Sequence, residues 1–263
     1  MNEKQEKLGR ILEKGKAVIV PMDHGTSEGP IEGLYDMDDA VSKVAKGGAS
    51  AVLLHKGMIR TLKEKPECGM IMHVSASTRL AQDVNRKVVV ATAEEALRLG
   101  ADAVSIHVNV GGNDYEAEML EDLGHMAGDC DELGLPLLAM MYARGKNVKD
   151  KFDPDSIALV ARVGAELGAD IIKCPYTGDI NSFRNVVKGC PVPVVIAGGP
   201  KCKNDREILD MVKGAMDAGA AGISIGRNIF QHADPSAITR ALRSIVVENK
   251  SVSEAEKIMG GMQ

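Results

Sequence analysis

The chain has 263 residues, a net charge of -5 and a pI near 5.7, a balance that argues against a nucleic-acid footprint, since phosphate backbones are met by basic faces. The length suits one (β/α) barrel of roughly 250 residues and is short for two full domains. No run approaches the ~20 consecutive apolar residues of a membrane span, and the charged first ten residues do not read as a leader, so a soluble, cytoplasmic protein is expected. The five cysteines, Cys68, Cys130, Cys174, Cys190 and Cys202, are odd in number and form no C-x-x-C pair, which points to reduced thiols rather than a disulfide framework or zinc ribbon.

Eight short apolar runs recur along the chain and predict strands at 17–22, 50–55, 70–74, 103–108, 137–142, 170–173, 192–197 and 222–226. Between them, helical periodicity predicts helices at 37–46, 93–99, 114–133, 154–167 and 207–218. Several of these helices end in a Gly-Ala phrase, at Gly48-Ala49, Gly100-Ala101, Gly168-Ala169 and Gly219-Ala220, and each phrase precedes a strand. Glycine there supplies a left-handed cap and a tight loop, so the phrase marks a repeating helix-to-strand unit. Eight such strands favour a closed TIM (β/α)8 barrel in one domain over residues 1–263, rather than an open doubly wound sheet. The run 88–90 reads as a ninth strand in an insert after the third, outside the barrel. The segment 235–257 reads as the helical closure of the barrel.

Lys173 ends the apolar run Ala169-Asp170-Ile171-Ile172-Lys173, where a charge has little structural reason to be. The C-terminal ends of barrel strands are where such folds place ligands, and a desolvated amine there is a competent nucleophile for a carbonyl carbon. After the seventh strand comes Gly198-Gly199-Pro200, and after the eighth Gly226-Arg227. These two loops commonly hold a phosphate, with glycine admitting the anion to the backbone N–H groups and arginine adding a charge-assisted bond. Nothing reads as a G-x-G-x-x-G dinucleotide fingerprint.

Other polar groups fall on the same predicted rim. Asp23 and His24 follow strand one, His55 and Lys56 end strand two, His107 belongs to strand four, and Tyr142 and Arg144 end strand five. Asp23 and Tyr142 are candidates for moving protons; their plainer readings are a helix cap and a filled barrel layer. His24, His55, His73 and His107 sit near the ends of strands one to four and raise a catalytic zinc site as an alternative. No pair at ligand spacing supports it, and a Lewis acid would duplicate the work of Lys173, so no metal is expected.

The phrases PMDHGTSEGP at 21–30, AVLLHKG at 51–57, VSIHVNVG at 104–111, MMYARGK at 140–146, YTGDINSFRNVVKGCP at 176–191, AGGPK at 197–201 and GRNIFQH at 226–232 span nearly the whole chain. Together they resemble the archaeal 2-amino-3,7-dideoxy-D-threo-hept-6-ulosonate synthases, in the class I aldolase group of the deoxyribose-phosphate aldolase and archaeal fructose-bisphosphate aldolase type. The resemblance implies that Lys173 forms a Schiff base, that Asp23 and Tyr142 transfer protons, and that His24, Lys56, His107, Arg144, Gly198, Gly199, Gly226 and Arg227 bind substrate and its phosphate. It implies transfer of a fragment of 6-deoxy-5-ketofructose 1-phosphate to L-aspartate semialdehyde without a cofactor, in a route to 3-dehydroquinate and aromatic amino acids. It also implies homo-oligomeric ring assembly, with the decamer as the candidate size. The chain departs from the pattern at Ala143, where proline is usual, and at 75–78, where a Gly-richer phrase is expected. The alternatives are a class I fructose-bisphosphate aldolase on the same scaffold and, more distantly, a barrel that binds sugar phosphates without catalysis.

Overall fold

The computed structural model describes residues 3–260. Its strands β1 (Ala17–Pro21), β2 (Ala51–His55), β3 (Gly69–His73), β4 (Ala103–Val110), β5 (Leu137–Ala143), β6 (Ile171–Pro175), β7 (Val194–Ala197) and β8 (Gly222–Ser224) pair in parallel with their chain neighbours. β1 pairs with both β2 and β8, so the sheet closes into the expected eight-stranded barrel. Closure leaves no sheet edge unpaired.

The period-two alternation of each strand divides its side chains between two cores. Ile19, Leu53, Ile71, Ala103, Leu138, Met140, Ile171 and Val195 fill the barrel interior, while Val18, Leu54, Met72, Val104, Met141, Ile172 and Ile196 face the surrounding helices. The predicted helices appear at Met37–Lys46, Ala93–Arg98, Glu116–Glu132, Pro154–Glu166 and Asp205–Asp217, within two residues of their expected ends. Each N-terminus that carries Asp, Asn or Thr is capped by it: Asp36, Thr92, Asp153 and Asn204 each accept from the backbone N–H three residues on. The Gly-Ala phrases close the helices with Schellman bonds, from the N–H groups of Ala49, Ala101, Ala169 and Ala220 to carbonyls five residues back, at 3.0 to 3.1 Å.

Three features differ from expectation. The helix Glu3–Ile11, read from sequence only as a charged start, places Ile11 with no exposure against the interior core at the strands' N-terminal end. Its Lys4 and Arg10 pair with Asp170 at 3.0 Å and Asp102 at 2.7 Å. The segment 235–257 is two helices, Pro235–Val246 and Val252–Gly260, because Asn249 turns left-handed at φ 54° and Ser251 with Glu254 starts a new capped helix. The eighth strand stops at Ser224, and Gly226 instead precedes the short helix Arg227–Phe230. The run at 88–90 does leave the barrel: Val88–Val89 pairs antiparallel with Ser75–Ala76 as a two-stranded ribbon. No helix among the described residues is long and apolar enough to cross a membrane.

Candidate active site

Lys173 lies on β6 in phase with Ile171, so the alternation that buries the isoleucine also turns the lysine into the barrel. It is 7% exposed, and its Nζ lies 3.9 Å from Met140 Sδ on the neighbouring strand. Met140 and Lys173 are register partners, and Tyr142, two residues on, occupies the next inward position above them. A cavity of about 440 Å³ opens at this end of the barrel, with Lys173, Tyr142, Arg144 and His24 in its walls.

The loops after the two following strands, β7 and β8, line the same cavity through Gly198, Gly199, Gly226 and Arg227. Gly199 is left-handed at φ 64°, a conformation that glycine adopts without strain. A Cβ at Gly226 would come within 2.6 Å of both His24 Cε1 and the Pro21 carbonyl, so the site packs too closely there for any side chain. Arg227 donates to the Gly199 carbonyl at 3.2 Å and faces Glu28 at 3.7 Å. Asn228, 7% exposed, clamps the first loop: its amide donates to the Gly198 and Pro200 carbonyls at 3.3 and 3.1 Å, and its oxygen accepts from the Cys202 N–H at 2.7 Å. Sequence reasoning quoted Asn228 within GRNIFQH and gave it no task. Its position one residue after a loop arginine, at the start of a short helix, is the available signal.

Asp23 stands at the end of β1, with His24 Nδ1 at 3.7 Å from one carboxylate oxygen and His73 Nε2 at 3.8 Å from the other. Burial pushes this carboxyl up, but His73, His24, Lys173 and His55 together outweigh it and hold Asp23 well below the usual carboxylate range. His73 is pushed down to about 4, first by burial, and donates to or accepts from Ser105 Oγ at 2.7 Å. Burial lowers His24 and His55 as well. Three groups converge closely enough to hold an ion: the ligand atoms of Asp23, His55 and His73 lie within 4.8 Å of one another. His107 does not join them. It packs at a tilt against Tyr142 with ring centroids 4.9 Å apart and pairs with Asn109 Oδ1 at 3.0 Å, and the Arg144 guanidinium lies over the tyrosine ring, 4.4 Å from its centre.

Two more groups here, Asn109 at the end of strand four and Lys87, were given no task by the sequence reading. Asn109, fully buried, donates to the Asn85 carbonyl at 2.6 Å and so ties the loop that joins the two ribbon strands to β4. Lys87 bonds Ser77 Oγ and the Val84 carbonyl, and burial with the nearby Arg144 pushes its amine down to about 8. The phrase 75–78 thus builds the ribbon: Ser75 Oγ accepts from the His107 N–H at 3.0 Å, and Ser77 holds Lys87. Ala143 continues β5 in register with Val110 and leaves Tyr142 in place. Lys56 is not brought to the cavity. The strand ends at His55, Lys56 begins the helix Lys56–Thr61, and its amine pairs with Glu95 at 2.9 Å.

A family model described as DeoC/LacD family aldolase matches residues 17–232. The 2-amino-3,7-dideoxy-D-threo-hept-6-ulosonate synthase of Halobacterium salinarum is 44% identical over 260 residues, covering 98% of this chain and 97% of the relative. The class 1 fructose-bisphosphate aldolase of Thermoproteus tenax is 34% identical over 256 residues, covering 95% and 97%. Among solved structures, a Schiff-base-forming fructose-1,6-bisphosphate aldolase superposes with a TM-score of 0.87 at 33% identity, over 93% of this chain and 100% of that one. With the family model matching residues 17–232 and the synthase relative aligned over 98% of its length, the chain belongs to the DeoC/LacD family of aldolases.

Proposed function

We propose that the protein is a Schiff-base transaldolase that makes 2-amino-3,7-dideoxy-D-threo-hept-6-ulosonate from 6-deoxy-5-ketofructose 1-phosphate and L-aspartate semialdehyde. The observation that carries this reading is the Lys173 amine, 7% exposed inside the barrel, sharing one cavity with the Gly199 and Arg227 loops. The synthase relatives at 44% and 42% identity support the choice of product.

In this reading the sugar phosphate docks its phosphate on the Gly198–Gly199 and Gly226–Arg227 backbone and the Arg227 side chain. Neutral Lys173 adds to the C5 carbonyl carbon, and loss of water from the carbinolamine gives an iminium. Asp23, a carboxylate at neutral pH, takes the proton of the hydroxyl on the leaving side. The electron pair of the breaking C–C bond flows into the iminium, hydroxypyruvaldehyde phosphate departs, and an enamine remains on Lys173. The enamine carbon adds to the aldehyde of L-aspartate semialdehyde, Tyr142 gives a proton to the new alkoxide, and water hydrolyses the iminium to free product and amine. His24, His107 and Arg144 line or brace the substrate side of this cavity. No cofactor enters. The product feeds a route to 3-dehydroquinate and aromatic amino acids, and copies of the chain assemble as homo-oligomers.

A fructose-bisphosphate aldolase activity is the second reading, favoured by the 34% identity to the Thermoproteus tenax aldolase over nearly the full chain. Both readings use the same lysine and phosphate loops. A product assay with 6-deoxy-5-ketofructose 1-phosphate, with and without L-aspartate semialdehyde, run beside fructose 1,6-bisphosphate, separates them: the synthase forms the amino sugar acid only when the semialdehyde is present. Lys173→Ala abolishes turnover and the borohydride-reduced adduct. Turnover that survives this substitution and is lost to a chelator would move the chemistry to the Asp23, His55 and His73 group.

A further inference from the structure

Among the described residues, two buried side-chain atoms have no hydrogen-bond partner, His24 Nδ1 and Ser224 Oγ. Both residues line the cavity that holds Lys173. An unpaired hydroxyl buried away from water is destabilising, so native cores leave few of them. Elsewhere in this barrel the rule is kept: the inward serine of β4, Ser105, bonds His73 at 2.7 Å, and Ser75 accepts from the His107 N–H. Ser224 departs from it although it is 1% exposed.

The position of Ser224 says what its hydroxyl faces. It sits on β8 in register with Ala197 of β7 and Ile19 of β1, two residues before Gly226. With Lys173 on β6 and the phosphate loops directly after β7 and β8, Ser224 stands between the amine and the anion-binding loops. His24 flanks the same place from β1, with its Cε1 against Gly226 and its ring edge-on to Phe230 at 5.2 Å between centroids. An imidazole Nδ1 can pair with an oxygen as either donor or acceptor, according to tautomer.

We propose that the Ser224 hydroxyl and His24 Nδ1 form an oxygen-recognition subsite, which bonds a hydroxyl or carbonyl oxygen on the carbon chain between the Lys173-bound carbon and the phosphate. The proposal rests on the Schiff-base reading above and adds a specificity element to it. A site built to bond an oxygen discriminates strongly against a ligand lacking it, because its own polar atoms then stay unpaired. Sugar phosphates oxygenated along this stretch are the ligands it selects.

The test compares Ser224→Ala and the near-isosteric weak donor Ser224→Cys with the natural chain, using 6-deoxy-5-ketofructose 1-phosphate as probe. KM for the probe rises on the order of tenfold in both variants, as for one lost hydrogen bond to a buried partner. The free Ser224→Ala protein melts at or above the temperature of the natural chain, since an unpaired buried hydroxyl has been removed. A merely structural serine gives the reverse, a melting temperature that falls together with activity. That result, or a KM within twofold of the natural value, overturns the subsite. Borohydride trapping keeps the two readings apart. If the natural chain forms no adduct, the Schiff-base reading fails, and the probe-induced rise in melting temperature, lost or kept in Ser224→Ala, still decides the role of Ser224.

Discussion

Lys173 and Arg227 approach one cavity from different strands and are held in different ways. The lysine is fixed by burial beside Met140, whereas Arg227 reaches the rim, where it donates to the Gly199 carbonyl at 3.2 Å and faces Glu28. A rim arginine poised over left-handed Gly199 contributes mainly to binding. Arg227→Ala therefore weakens the sugar phosphate by roughly 1–3 kcal/mol, read as an about 5- to 150-fold rise in KM with a smaller change in kcat. An unchanged KM would remove the phosphate from these loops. The inward lysine was legible because its parity with Ile171 is a property of the sequence. Lys56 was not, because it follows its strand by one residue, and that single step carries it onto a helix and toward Glu95.

At the scale of elements, the barrel's open end is shaped by loops and its other end by one helix. Glu3–Ile11 places Ile11 against Ile19, Leu53, Ile71 and Leu138 with no exposure. Ile11→Ala should lower stability by about 2–5 kcal/mol, the usual cost of truncating a fully buried isoleucine, while kcat of the folded enzyme at low temperature stays the same. Urea denaturation checks the first and initial rates the second; a loss below 1 kcal/mol would mean that the helix is not a structural plug. This helix was illegible since six of its nine residues, EKQEKLGRI, are charged or amide-bearing, and the apolar pair Leu8 and Ile11 is too sparse a stripe to declare itself. The eight strands were legible for the opposite reason. Buried parallel strands are short apolar runs, and the Gly-Ala caps before four of them are chemically required punctuation. What the pattern could not supply is convergence: that Asn228 clamps the Gly198 loop, or that Asn109 reaches the Asn85 carbonyl, depends on contacts across 30 and 24 residues of chain.

For the whole molecule, the polar cluster that makes the site also sets how stability follows pH. His73 faces Asp23 at 3.8 Å, His55 with ring centroids 5.1 Å apart, and Lys173 within electrostatic reach. Burial outweighs the attraction of Asp23 and pushes His73 down to about 4, against 6.5 for an unfolded imidazole. Between those values the unfolded chain binds more protons than the folded one, so stability rises with pH across the window. The contribution of His73 is complete above pH 6.5 and is lost as pH falls toward 4, by up to roughly 3 kcal/mol. His24, His55 and His107 are shifted in the same direction, so they steepen the loss. Asp23, held low, adds its own loss only below the ordinary carboxylate value of 3.8. The denaturant midpoint should thus be level from pH 8 to 7 and fall steeply from 6.5 to 4.5, with a shallower fall in His73→Asn, whatever that variant's absolute stability. A level midpoint down to pH 5, or equal slopes in the two proteins, would show that the imidazoles take up protons in the folded barrel as readily as in water, and that the top of the barrel is not the dry site that the chemistry proposed for Lys173 requires.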